Sequence, residues 1–128
     1  VDAEDDVLSC LCLNLRRSAR RLTQKYDDAL RPSGLKITQF TLLAALEGFE
    51  RTTLQPLADF MGMDRTTLTR NLALLERDGL VTVARGEQDR REQWITLSPA
   101  GCEAVKKAMP FWRTAQSAAM ATLGESEA

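Results

Sequence analysis

Leu57-Ala58-Asp59-Phe60-Met61-Gly62-Met63-Asp64-Arg65-Thr66-Thr67-Leu68-Thr69-Arg70-Asn71-Leu72-Ala73-Leu74-Leu75-Glu76-Arg77 is the stretch that decides the fold. Gly62 can take a positive φ angle and turn the chain sharply, and Asp64 can cap the helix that follows. The pattern predicts one short helix over about 54–61. Thr53 is its expected cap, and Pro56 falls in its first turn, where a missing N–H does little harm. A second helix is predicted over roughly 65–78, ended by Asp78-Gly79. Two short helices joined by a tight glycine-containing turn form the helix-turn-helix pattern. In the second helix Leu68, Leu72 and Leu75 share one face, while Arg65, Thr66, Thr69 and Arg70 gather toward the other and toward the N-terminal half. A helix laid in the major groove reads bases from its early residues. Arginine can donate two hydrogen bonds to guanine, threonine offers a hydroxyl and a methyl, and a helix N-terminus favours an anion. Taken alone, the pattern equally describes an amphipathic helix with a solvated charged face.

The flanking elements change that balance. After Gly79 the helical period disappears. Leu80-Val81-Thr82-Val83-Ala84-Arg85 and Gln93-Trp94-Ile95-Thr96-Leu97 alternate and carry branched side chains, as strands do. The polar loop Gly86–Glu92 between them makes a β-hairpin with a charged tip. Arg90 or Arg91 there could lie along the minor groove, where the negative potential is strong. Asp89 is unsuited to phosphate, but fits as a hydrogen-bond acceptor that holds Arg91 in position; a solvated β-turn is the alternative. Ser98-Pro99-Ala100-Gly101 opens a last helical region, about 99–123, which Pro110 is expected to kink or divide. Upstream, Leu8, Cys12, Leu15, Ala19, Leu22, Tyr26 and Ala29 form one apolar stripe on a helix over 7–30, ended by Pro32-Ser33-Gly34. A helix over about 38–47 follows, with Thr38 as cap and Gly48 closing it. The expected fold class is mainly α with a small β-hairpin wing: a winged helix-turn-helix flanked by terminal helices.

Composition narrows the function. The chain has 128 residues, enough for one domain with a core, and its 44% hydrophobic and 27% charged content argues against disorder. No stretch approaches the ~18 consecutive apolar residues of a membrane span. The acidic start, Val1–Asp6, is unlike a signal or transit peptide, so a cytoplasmic location is expected. Histidine is absent, which removes the commonest general base and most zinc sites. Neither enzymatic activity nor a cofactor or metal is expected; carboxylates such as Asp59 and Glu76 have no partner that the sequence places with them. Three cysteines (Cys10, Cys12 and Cys102) without C-x-x-C spacing read as reduced thiols. The net charge of −1 does not announce a nucleic-acid binder, but binding needs positive charge only at the contact surface. Arg16–Lys25 holds five basic residues and no acid, and arginines recur at Arg65, Arg70, Arg77, Arg85, Arg90 and Arg91.

From about Leu35 to Gly101 the chain resembles the MarR family of transcriptional regulators. The resemblance rests on Ile37-Thr38-Gln39-Phe40, on the segment Leu57–Arg70, on Leu74-Leu75-Glu76-Arg77-Asp78-Gly79-Leu80-Val81, on Asp89-Arg90-Arg91 and on Leu97-Ser98-Pro99-Ala100-Gly101, in that order. It implies a single domain over 1–128, with 7–34 and 99–128 as dimerisation helices and 35–98 as the winged-helix DNA-binding region. It implies a homodimer bound to double-stranded DNA at a pseudo-palindromic operator, with half-sites about 10 bp apart. The D-x-R of the family's wing carries onto Asp89 and Arg91, with Arg90 an additional basic residue. The DNA-binding set is then Thr38, Asp64, Arg65, Thr66, Thr67, Thr69, Arg70, Asp89, Arg90 and Arg91. Dimerisation has separate support: Met109, Phe111, Trp112, Ala115, Ala119 and Leu123 are apolar at helical spacing. A second copy could cover them, or they pack within the chain. A winged helix that mediates protein assembly without touching DNA is the competing reading.

The resemblance also implies a switch, either a small-molecule effector bound between the dimer and DNA-binding regions or oxidation of a cysteine. In the organic-peroxide-sensing branch the sensor cysteine lies near the start of the first helix, and a tyrosine helps hold it. Cys12 and Tyr26 resemble that pair, while Ile37 stands where a further tyrosine is expected. Sensing needs an accessible thiolate, which the helix N-terminus and the arginine run from Arg16 would favour. The plainer reading of Cys12 is a small buried hydrophobe.

Overall fold

Apolar periodicity and turn chemistry resolve into five α-helices and a three-stranded antiparallel sheet in the computed structural model, which describes residues 6–124. The acidic residues 1–5, and 125–128 of the expected terminal helix, lie outside the described residues. A 3₁₀ turn over Val7–Ser9 precedes helix α1 (Leu11–Leu30). The helix starts later than its stripe suggests because Cys10 is extended (ψ 124°) and because Asp6 caps the 3₁₀ turn through the Leu8 N–H. A second 3₁₀ turn, Arg31–Ser33, ends at Gly34 in the left-handed region (φ 79°), the reversal that the glycine predicts.

Helix α2 spans Ile37–Phe49, and Thr38 is not its cap. Lys36 occupies that position. The Lys36 N–H is taken by Gln39 Oε1 (2.9 Å) and the Ile37 N–H by Asp27 Oδ1 of α1 (2.8 Å), so two orphan donors are satisfied by other side chains. Gly48 does not close α2 either: the helix runs on to Phe49, whose ring meets Phe60 edge-on at 5.7 Å, and Glu50 takes the positive φ (66°). Strand β1 (Arg51–Thr52), too short to show a period, was not foreseen. Helix α3 (Leu54–Met61) ends at Gly62 (φ 67°), and α4 spans Arg65–Arg77. Strands β2 (Val81–Arg85) and β3 (Gln93–Leu97) pair from Val81↔Leu97 to Arg85↔Gln93, and β1 adds to the far edge of β3. Helix α5 (Pro99–Thr122) carries Pro110 inside it and is not divided there.

Leu30, Leu42, Leu43, Leu46, Leu57, Leu68, Leu75, Ile95 and Val105 are fully buried, so one core joins all five helices to the sheet. Trp112 of α5 stacks on Phe40 of α2 (centroids 6.1 Å apart). Met109, Phe111 and Trp112 therefore pack partly within the chain, whereas Leu123 of the same set is 77% exposed. The N-terminal half of α1 is not covered: Leu11 is 73% and Leu15 60% exposed, and Leu8 is open as well. At the other junction, Ser98 Oγ donates to the Gly79 carbonyl (2.6 Å) and accepts from the Gly101 N–H (3.0 Å). A Cβ on Gly101 would fall 2.2 Å from the Leu80 carbonyl oxygen, so only glycine lets α5 approach this closely. Among the described residues no helix is long and apolar enough to cross a membrane.

Candidate nucleic-acid interface

The interface begins with the cap of α4. Asp64 Oδ1 accepts from the Thr67 N–H (2.7 Å) and Oδ2 from the Thr67 hydroxyl (3.1 Å). These bonds hold the Asp64 carboxyl below the usual carboxylate range against an opposing effect of desolvation, with the Arg70 charge a lesser contribution in the same direction as the bonds. Below the cap, Leu68, Leu72 and Leu75 point into the core, which turns Arg65, Thr66, Thr69 and Arg70 to solvent. Apolar spacing thus aims the polar face without any further device.

The hairpin tip is fixed by its own hydrogen bonds. Asp89 Oδ1 accepts from the Arg91 backbone N–H (3.0 Å) and from Arg91 Nε (3.2 Å), while the Asp89 carbonyl accepts from the Glu92 N–H (3.1 Å). Gly86 closes the loop by donating to the Glu92 carbonyl (2.9 Å); a Cβ there would lie 2.6 Å from the Asp89 carbonyl oxygen. Beside the loop, Arg51 of β1 lies 3.9 Å above the Trp94 ring of β3.

Arg65 and Thr69 of α4 share one groove of about 540 Å³ with Asp89 and Arg91 of the hairpin. Thr53 and Gln55 at the start of α3 line it too. Arg70, Thr66 and Arg90 are exposed outside its wall. Thr67 is half-buried with its hydroxyl bonded to Asp64, and Thr38 is half-buried in the first turn of α2 rather than in the groove. Sequence reasoning missed Gln55, whose Oε1 accepts from Arg65 Nη1 at 3.4 Å. Its available signal was Asp59, four residues on in the same helix. Asp59 accepts from Gln55 Nε2 (2.8 Å), so it is engaged with an amide and not with a second carboxylate.

Cys12 and Tyr26 do not meet within the chain: fourteen residues of one helix separate them by about 21 Å. The Tyr26 hydroxyl donates instead to Gln116 Oε1 of α5. Cys12 is exposed, not a buried hydrophobe; Cys10 is exposed and precedes the helix, and Cys102 is partly covered. Among the described residues no group of three or more His, Cys, Asp or Glu side chains is placed to hold a metal.

The sequence pattern of the MarR family matches residues 33–92. The organic hydroperoxide resistance transcriptional regulator of Bacillus subtilis is 31% identical over 99 residues, which are 77% of this chain and 67% of that protein. The chain belongs to the MarR family. A second relative, the HTH-type transcriptional regulator SarZ of Staphylococcus epidermidis, is 34% identical over 91 residues, 71% of this chain; the match spans 62% of that relative's length. Among solved structures, the M. tuberculosis transcriptional regulator MosR in complex with DNA is similar at a TM-score of 0.84 and 47% identity, covering 91% of this chain and 84% of that one. The winged-helix architecture of MarR regulators is thus the architecture of this chain.

Proposed function

We propose that this MarR-family chain is a sequence-specific regulator that binds double-stranded DNA as a homodimer and represses transcription, in the cytoplasm, until a small ligand or thiol oxidation releases it. The groove carries this reading: it joins the early residues of α4 to a hairpin arginine already oriented by Asp89. With α4 in the major groove, Arg65, Thr66, Thr69 and Arg70 face base edges and phosphates, and the hairpin lays Arg91 into the adjacent minor groove. Asp64 and Thr67 hold the N-terminus of α4 in shape, and Arg90 adds charge toward the backbone. MosR, solved on DNA, supports the reading through its similarity over most of this chain. Retained exposed arginines on both arms weigh against an assembly module without DNA.

The decisive variant is Arg91→Ala, read by gel-shift titration. Operator affinity is expected to fall by about 1–3 kcal/mol, with the thermal midpoint unchanged. Unaltered affinity removes the hairpin's role. For the switch, Cys12 is exposed near the start of α1, and a relative is named for organic hydroperoxide resistance. Peroxide is expected to release DNA from the parent and not from Cys12→Ser; equal release from both eliminates Cys12 as the sensor.

A further inference from the structure

We infer that Gln55, held by Asp59, is a positioning residue that sets the direction of the Arg65 guanidinium and thereby sharpens base discrimination at the position Arg65 reads. The inference rests on the DNA-reading proposal above. Arg65 is the first residue of α4, and its side chain reaches back across the turn to the first turn of α3, where Gln55 Oε1 meets Nη1 at 3.4 Å. An amide can face either way round. Here its direction is dictated by chemistry: the Asp59 carboxylate only accepts, so it takes the Nε2 end (2.8 Å), and the oxygen is left for a guanidinium, which only donates. The chain Asp59–Gln55–Arg65 therefore has one consistent polarity.

Arginine loses much rotamer freedom on reading a base, and a side chain already held in one direction loses less. Gln55 does this without placing a carboxylate in direct contact with the guanidinium. The hairpin uses the opposite solution, holding Arg91 directly with a carboxylate. The two held arginines and Gln55 line the same groove, which places the restraint at the contact surface.

The test is a selection from random duplex DNA with the parent, Gln55→Ala, Gln55→Met and Asp59→Ala, followed by affinity for the parent's selected site. Each variant is expected to bind that site about three- to tenfold more weakly, the cost of ordering one long side chain. Preference should flatten at a single base pair of each half-site, with the thermal midpoint unchanged. Gln55→Met keeps the length and helix propensity, so a loss shared by Ala and Met is not a packing effect. In an Arg65→Ala background, Gln55→Ala is expected to have no further effect. An equal loss in that background shows that Gln55 touches DNA itself and overturns the positioning role, as does a base preference identical to the parent's. If the parent enriches no sequence, the DNA-reading proposal falls and takes this inference with it. If the parent enriches a site and the variants match it, only the inference falls.

Discussion

Glu50 and Gly48 stand in each other's natural places. Glu50 holds a positive φ that an L side chain rarely adopts, whereas Gly48, two residues earlier, sits in regular helix with open space where a Cβ would go. The glycine invites the reading of a helix end at 48, and that reading fails because Phe49 still finds Phe60 to pack against. Gly48→Ala should raise stability by about 0.5–1 kcal/mol, through a smaller loss of backbone entropy on folding. Glu50→Gly should also stabilise, by relieving the strain of a positive φ at a residue with a Cβ. Chemical denaturation checks both; a lower midpoint for Gly48→Ala contradicts the open space around it. Thr38 failed as a cap for a similar reason. Its neighbours' N–H groups are taken by Gln39 and by Asp27, the latter ten positions from the residue it serves, a distance at which no local rule operates.

At the scale of elements, the helix-turn-helix was legible because Gly62, Asp64 and three buried leucines each act locally. The hairpin was legible from alternation, and even the Asp89–Arg91 bond followed from charge alone. What escaped was β1, with two residues, and the groove contacts of Gln55, which depend on how α3 and α4 face each other. The cap of α4 makes a pH prediction. The Asp64 carboxyl is depressed in the folded chain relative to the unfolded one, chiefly by the Thr67 N–H. Its contribution is therefore complete above the usual carboxylate range and is lost as pH falls through the lower folded value. Asp64→Asn can cap through its side-chain oxygen but does not titrate, so its acid-limb stability should fall less steeply than the parent's. Thermal melts between neutral and strongly acidic pH measure this, and parallel curves would count against the cap.

For the whole molecule, the apolar stripe expected over 7–30 is covered by the chain itself only in part, at Tyr26 and Ala29, with buried Leu30 beside them. α5 packs on α1 and α2, yet Leu8, Leu11 and Leu15 stay open to solvent. In the proposed dimer this stripe meets the second copy. Leu11→Glu should give monomers in sedimentation experiments and weaken two-half-site DNA by about a hundredfold or more, because the second half-site no longer binds intramolecularly. A dimer of unchanged stability would remove α1 from the interface. The terminal aromatics, by contrast, could not be apportioned from sequence, since covering by one's own chain and by another leaves the same apolar pattern.

Ser98 spans the turn after α4 and the first turn of α5, while Gly101 sits flush against the Leu80 backbone beside the hairpin. That leaves no slack between them. The start of α5 is tied to the turn that follows α4, and the direction in which the long helix leaves the sheet is set at that junction.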